Sequence, residues 1–193
     1  MLAFVKGAAV RNGLAQTLIA LEVSQEAHAG QTRKSSNVAY INHPLAMVCH
    51  ALAMGTDQDD VLAAILLHDV VEDCPRGYTL QTLPVNETVR GLVDLLTWQP
   101  DTDDGEARRR YYERIATDPD AMFIKALDRC NNLSLMVAAL SKARIITYIE
   151  ETETHILPMM EMLMHRHPRY GNAMFLLKYQ MVTLMETVKR LLR

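Results

Sequence analysis

Apolar residues recur along this chain at spacings of three and four, the period of an α-helix. No sustained alternation of β-branched residues marks a half-buried strand, so the expected fold is all-α. MLAFVKGAAVRNGLAQTLIALEV predicts a first helix that ends near 26–30, with Gly30 as its stop. Lys6, Arg11 and Glu22 interrupt its apolar run, so it reads as neither a signal peptide nor a membrane span. QTRKSSNVAYIN (31–42) is polar and irregular, a loop. His43-Pro44 opens a second helix that runs to about Met54, because proline is welcome in a first helical turn, and Gly55 stops it. Thr56 and Asp59 have the spacing of a capping box for a third helix, VLAAILLHDVVED, which continues to Cys74-Pro75. A short helix over about 89–96, an Asp-rich loop (QPDTDDG) and a helix over about 106–116 follow. Asp118-Pro119, a cap and a first-turn proline, launches a helix over about 120–140. The remainder is helical, kinked or split at Pro158 and bounded at His167-Pro168. Met174, Leu177, Met181, Leu184, Val188 and Leu191 form a seam, read as packing within the monomer in preference to a dimer face.

Composition narrows the class. With 193 residues, 49% of them hydrophobic and 22% charged, the chain reads as one ordinary globular domain that buries its own core. Only 8 Gly and 7 Pro agree with a helical fold. The net charge is −3, from 20 Lys+Arg against 23 Asp+Glu, with no basic run longer than Arg108-Arg109-Arg110. That argues against a duplex DNA partner, which needs a cationic face, but leaves room for a small phosphorylated ligand. Cys49, Cys74 and Cys130 lie far apart without a CxxC, which fits a reducing cytoplasm and no Cys-rich zinc site.

The third helix raises a problem of charge. It is apolar all round from Val61 to Leu67, as a helix buried on every side would be, yet it ends in His68, Asp69, Glu72 and Asp73. An ionised carboxylate there costs several kcal/mol unless compensated. Asp73 lies one turn beyond Asp69 and repels it. A divalent cation reverses the sign of that account. Asp128 poses the same question inside IKALDRCNN, where it shares a stripe with Ile124 and Asn132, and Arg129 points about 100° away. His43, His68, Asp69 and Asp128 together offer two imidazoles and two carboxylates, a shell that suits Mn, Fe or Zn.

AHAGQTRKS (27–35), YINHP (40–44), LLHDVVED (66–73) and IKALDRCNN (124–132) stand in this order along the chain. The His…HD…D set resembles the HD phosphohydrolase superfamily. The fuller set is similar to the hydrolase domain of the RelA/SpoT homologues, over roughly residues 15 to 160. The resemblance implies an HD-domain helical bundle spanning 1–193, with C-terminal helices 161–193 packing on it. It implies Mn²⁺ held by His43, His68, Asp69 and Asp128, other divalent metals remaining open, and a catalytic acidic pair, Glu72 and Asp73. It places Arg33, Lys34 and Ser35 on the loop that packs on the nucleotide and Asn132 on a nucleotide contact. The implied reaction removes the 3′-pyrophosphate of (p)ppGpp. His28, in the first motif, is read as structural or as backing the metal ligands, not as a ligand itself.

The chain also departs from that family. RKSSNVAYINHP lacks the glycine that usually follows RKS, DRCNNLSLM has lost an Arg and a Thr, and Ile156 stands where the family has Tyr. These changes bear on guanine selectivity more than on hydrolysis. Two further readings stand beside the first: an HD phosphohydrolase of another phosphorylated nucleotide, such as the 2′-phosphate of NADPH, and a non-catalytic, antitoxin-like partner.

Overall fold

The computed structural model describes residues 1–33, 37–74, 77–98 and 105–192. Their regular elements are helices: α1 Leu2–Asn12, α2 Ala15–Ala27, α3 Asn42–Ala53, α4 Asp59–Leu67, α5 Val70–Asp73 and α6 Glu87–Leu96, then α7 Gly105–Ile115, α8 Pro119–Leu133, α9 Met136–Ala139, α10 Lys142–Glu151, α11 Leu157–Arg166 and α12 Gly171–Leu191. A π segment, Thr152–Ile156, joins α10 to α11, and a 3₁₀ turn, Pro168–Tyr170, precedes α12. An isolated antiparallel bridge links Thr32 and Ala39 in the loop before α3. The helices divide into two compact units, α1 to α6 and α7 to α12.

In the first unit α4 is the axis. Val61 to Leu67 are each at most 1% exposed, as all-round apolarity demands, and α4 packs on α2, α3 and α6. Burial of Leu62, Ile65, Leu66 and Leu67 contributes about 1.5–3 kcal/mol each. The helix stops at Leu67, one residue before His68, and a short α5 resumes at Val70. The single expected helix over 61–73 is therefore broken at the His-Asp pair. The first expected helix is likewise two helices. Gly13 takes φ 66°, and Leu14 N–H donates to Ala9 O at 2.9 Å, closing α1 with a left-handed cap that the Asn-Gly pair foreshadows.

The expected Thr56–Asp59 capping box does not form. Gln58 is the N-cap of α4, and Asp59 serves α2 instead. Its Oδ2 accepts from Gln16 N–H at 2.8 Å, and its Oδ1 accepts from Thr17 N–H and Thr17 Oγ1–H, both at 2.7 Å. Leu14, which precedes α2, has no side-chain acceptor, so a carboxylate 42 residues away satisfies the orphan amides and complements the helix dipole. Asp59→Ala is expected to lower stability by about 1–2 kcal/mol, with Asp59→Asn retaining most of it, as read from urea midpoints. Equal midpoints for Asp59→Ala and the wild type would remove this cap from the account.

In the second unit α8 is the axis. Asp118 caps it, its Oδ1 accepting from Asp120 N–H at 2.8 Å and Ala121 N–H at 3.0 Å, with Pro119 in the first turn. α7, α11, α12 and the π segment pack on α8. Phe123 stacks on Tyr170, ring centroids 4.7 Å apart, and Tyr170 O–H donates to Asp120 Oδ1 at 2.7 Å. α8 ends at Leu133, short of the expected 140, and α9 follows. Pro158 lacks the N–H that an α-helix would use, and the chain meets this with the wide π turn just ahead of it. Along α12 the buried positions are Ala173, Met174, Leu177, Met181, Met185 and Val188, while Leu191 is exposed. A straight helix drifts off a strict seven-residue seam, so Met185 replaces Leu184 on the inner face.

Candidate metal centre

Helix starts and breaks place the site of the first unit. His43 sits in the first turn of α3, its N–H donating to Tyr40 O at 2.8 Å. His68 and Asp69 occupy the interruption between α4 and α5, where the chain turns and its side chains leave the apolar layer together. Both imidazoles are buried. His68 Nδ1 lies 2.8 Å from Ile65 O. A carbonyl only accepts, so Nδ1 carries a proton and Nε2 is the nitrogen turned toward Asp69. Asp69 Oδ2 stands 3.0 Å from His68 Nε2 and 3.7 Å from His43 Nε2. Ligand atoms of the three residues all lie within 4.8 Å of one another. Donors that share one ion at about 2.1 Å stand roughly 3–4 Å apart, so the donor set fits a divalent metal in both chemistry and spacing.

The neighbouring side chains set the electrostatics. Tyr40 O–H donates to Asp69 Oδ2 at 2.5 Å. Burial, then the Asp69 and Asp73 charges, push the Tyr40 phenol far above its ordinary range, so it remains a donor. The Asp73 backbone N–H donates to Asp69 O at 2.8 Å, so the expected one-turn spacing of the two acids is present despite the break. Partial desolvation, then the Asp69 charge, raise the Asp73 carboxyl, and its hydrogen bond with Tyr40 opposes them. Glu72 is exposed, and its Oε2 accepts from Trp98 N–H at 3.0 Å. His28 is buried. Its Nδ1 lies 2.9 Å from Gln31 Oε1 and its ring 4.6 Å from that of Tyr40.

The loop residues are only partly in view. Arg33 is half-buried, its N–H donating to Val38 O at 2.9 Å, while Lys34 and Ser35 lie outside the described residues. In the second unit Asp128 is 6% exposed on α8. Its carboxylate accepts from Asn132 Nδ2 at 2.6 Å, as their shared stripe predicts, and from Lys125 Nζ at 3.1 Å. Arg129 turns to the opposite side, toward Glu151 and Tyr112.

Tyr40 and Lys125 are not flagged by the sequence pattern. Each stands three residues before a proposed ligand, and that proximity, together with a polar group at the edge of an apolar stripe, is the signal that could have found them.

An all-α chain with two imidazoles and a carboxylate converging at a helix break is a helical domain with a metal-binding donor set. The family model described as "HD domain" matches residues 20–154, and the chain belongs to that family. It is 39% identical over 124 residues to the bifunctional (p)ppGpp synthase/hydrolase RelA of Mycobacterium tuberculosis, across 61% of this chain and 16% of that protein. It is 37% identical over 119 residues to the bifunctional (p)ppGpp synthase/hydrolase SpoT of Escherichia coli, across 58% of this chain and 16% of that protein. The chain thus spans about a sixth of the length of these relatives. A solved structure described as a metazoan orthologue of SpoT that hydrolyses ppGpp shares its fold. The TM-score is 0.71 at 23% identity, over 90% of this chain and 95% of that one. The all-α expectation and the resemblance to RelA/SpoT hydrolase domains both hold.

Proposed function

We propose that this chain is a metal-dependent pyrophosphohydrolase that removes the 3′-pyrophosphate of (p)ppGpp, giving GDP or GTP and pyrophosphate. The observation that carries the reading is the convergence of His43, His68 and Asp69 within 4.8 Å in an HD-family domain. The bifunctional relatives and the metazoan orthologue, whose descriptions name (p)ppGpp hydrolysis, supply the substrate class. Asp128 completes the ligand set in this reading, and Mn²⁺ is the ion. When bound, the ion lowers the pKa of a coordinated water and offsets negative charge on the phosphate.

The chain's own residues supply the rest. The acidic pair Glu72 and Asp73 takes the water's proton, the Asp73 carboxyl being raised above an ordinary carboxylate by desolvation and the Asp69 charge. Glu72, bonded to Trp98 N–H, orders the segment that carries both acids. Water adds to the phosphorus attached to O3′, the O3′–P bond breaks, and O3′ leaves with a proton. Arg33 and Lys34 meet the polyanion, Arg33 offering a plane for the base. Ser35 and Asn132 hydrogen-bond the nucleotide. The HD-family match runs from α2 into the π segment, which supports one HD-type domain over 1–193. α11 and α12 pack on α8, as C-terminal helices covering that domain would. No described helix is long and apolar enough to cross a membrane. A cytoplasmic site of action, with no DNA partner, goes with this reading.

Purified protein incubated with ppGpp and Mn²⁺ is expected to release GDP and pyrophosphate, resolved by ion exchange. EDTA is expected to stop the release and added Mn²⁺ to restore it. Absence of pyrophosphate with metal present would reject the reading, and faster phosphate release from NADPH would replace the substrate.

A further inference from the structure

We propose that Tyr40 is a positioning residue for this centre: its hydroxyl, donated to Asp69 Oδ2 at 2.5 Å, aims that carboxylate toward the two histidines. The inference rests on the reading of His43, His68 and Asp69 as metal ligands and adds a residue to it.

Tyr40 touches two of the three ligands in different ways. Its carbonyl accepts from His43 N–H at 2.8 Å, which ties the main chain of one ligand, while its side chain holds the carboxylate of another. The ring is held as well. It leans on buried His28, centroids 4.6 Å apart, and meets His43 edge-on at 5.9 Å. His28 is in turn bonded to Gln31, whose Nε2 donates to Cys74 Sγ at 3.2 Å. A phenol on a stiff ring, backed by buried groups, is a fixed donor. A carboxylate left to itself rotates between orientations, and binding an ion would then require ordering it first. A hydrogen bond that fixes it beforehand raises metal affinity. Asp73, whose charge also acts on this phenol, lies one helical turn from Asp69, so the hydroxyl proton on Asp69 offsets part of the repulsion between the two acids.

The test is Mn²⁺ titration by calorimetry of the wild type, Tyr40→Phe and Asp69→Asn, with the visible spectrum of Co²⁺-loaded protein as a second readout. Tyr40→Phe keeps the ring and loses only the hydroxyl. It is expected to weaken Mn²⁺ binding about 10–100-fold and to alter the Co²⁺ bands, while the metal-free protein melts within a few degrees of wild type. At saturating Mn²⁺, kcat recovers and KM for the nucleotide is unchanged. Unchanged Mn²⁺ affinity with an unchanged Co²⁺ spectrum overturns the role of Tyr40, as does tighter binding, which would make Tyr40 a competitor of the ion. A wild type that binds no Mn²⁺ removes the centre itself, a failure distinct from that of Tyr40.

Discussion

Asp69→Ala is expected to lower kcat for pyrophosphate release by at least ~10³-fold and to remove measurable Mn²⁺ binding. Asp69 Oδ2 is the atom nearest both histidine nitrogens, 3.0 Å from His68 and 3.7 Å from His43. Without it the set loses one of its two oxygen donors, and a hard, oxygen-preferring ion such as Mn²⁺ is held poorly by a shell weighted toward nitrogen. A bound divalent metal lowers the pKa of its water, and each 1.36 kcal/mol of lost stabilisation is tenfold in rate. The carboxylate's removal therefore reaches the chemistry through the nucleophile and through the charge on the phosphate at once. On the proposed ligand set Asp128→Ala is expected to match it, and the double substitution to cost little more, because groups that act as a unit do not add. Turnover by Asp69→Ala within tenfold of wild type, at saturating Mn²⁺, would exclude the carboxylate from the reaction.

The largest effect on stability is expected at Arg129, which is 3% exposed. Its Nη2 donates to Glu151 Oε1 at 2.7 Å and to Tyr112 Oη at 2.8 Å, and its Nη1 donates to Tyr148 O and Thr152 Oγ1, each at 3.3 Å. The guanidinium lies 3.8 Å from the centroid of the Tyr148 ring, and Arg108 Nη1 donates to Glu151 Oε2 at 2.7 Å. Removing one partner of a buried pair costs up to about 3–5 kcal/mol, although Arg108 and Tyr112 stay on Glu151 when Arg129 is replaced. Arg129→Met is therefore expected to lower Tm by up to roughly 6–20 °C in a chain of this size. Arg129 follows Asp128 on α8, so these contacts also hold the rotation that keeps Asp128 and Asn132 on the other side.

The same pair carries a pH signature. Burial would raise the Glu151 carboxyl, but Arg129, Tyr112 and Arg108 outweigh burial and hold it below its ordinary value near 4.5. A depressed folded-state pKa contributes stability that is complete above about pH 4.5 and is lost as the pH falls through the lower folded value. Glu151→Gln is expected to lack that part of the acid-side loss in Tm between pH 5 and 3. A Glu151→Gln profile parallel to wild type through this window would remove the pair from the account.

How far the sequence reached depends on whether the relevant interaction is local. Asp118 caps α8 from the adjacent position, and Asn132 meets Asp128 one turn away, so both were legible as spacing. α4 was legible as a buried helix because every side of it is apolar. Asp59 has the composition of a local cap and the function of a distant one, since Leu14 left α2 without an acceptor and tertiary packing brought Asp59 to it. The break at His68-Asp69 was equally hidden, because the residues on either side keep good helical character. Lys125 on Asp128, and Glu151 on Arg129, answered charges whose need for a partner was foreseeable and whose partner was not.

By itself, then, the order of residues determined the helical class and the buried axis α4, and it marked His43, His68, Asp69 and Asp128 as candidate ligands. Class and axis follow from helical period and apolar stripes, and the two aspartates stand out by the cost of a buried charge, all properties of a few neighbouring residues, while the full set of four is what the family resemblance implies. The tertiary structure alone decided that three of those groups meet in the first unit, that Tyr40 orients one of them, and that Arg129 is anchored to Glu151. The reason is physical: a helix can be read within a turn or two, whereas a hydrogen bond between distant segments exists only once packing has brought donor and acceptor together.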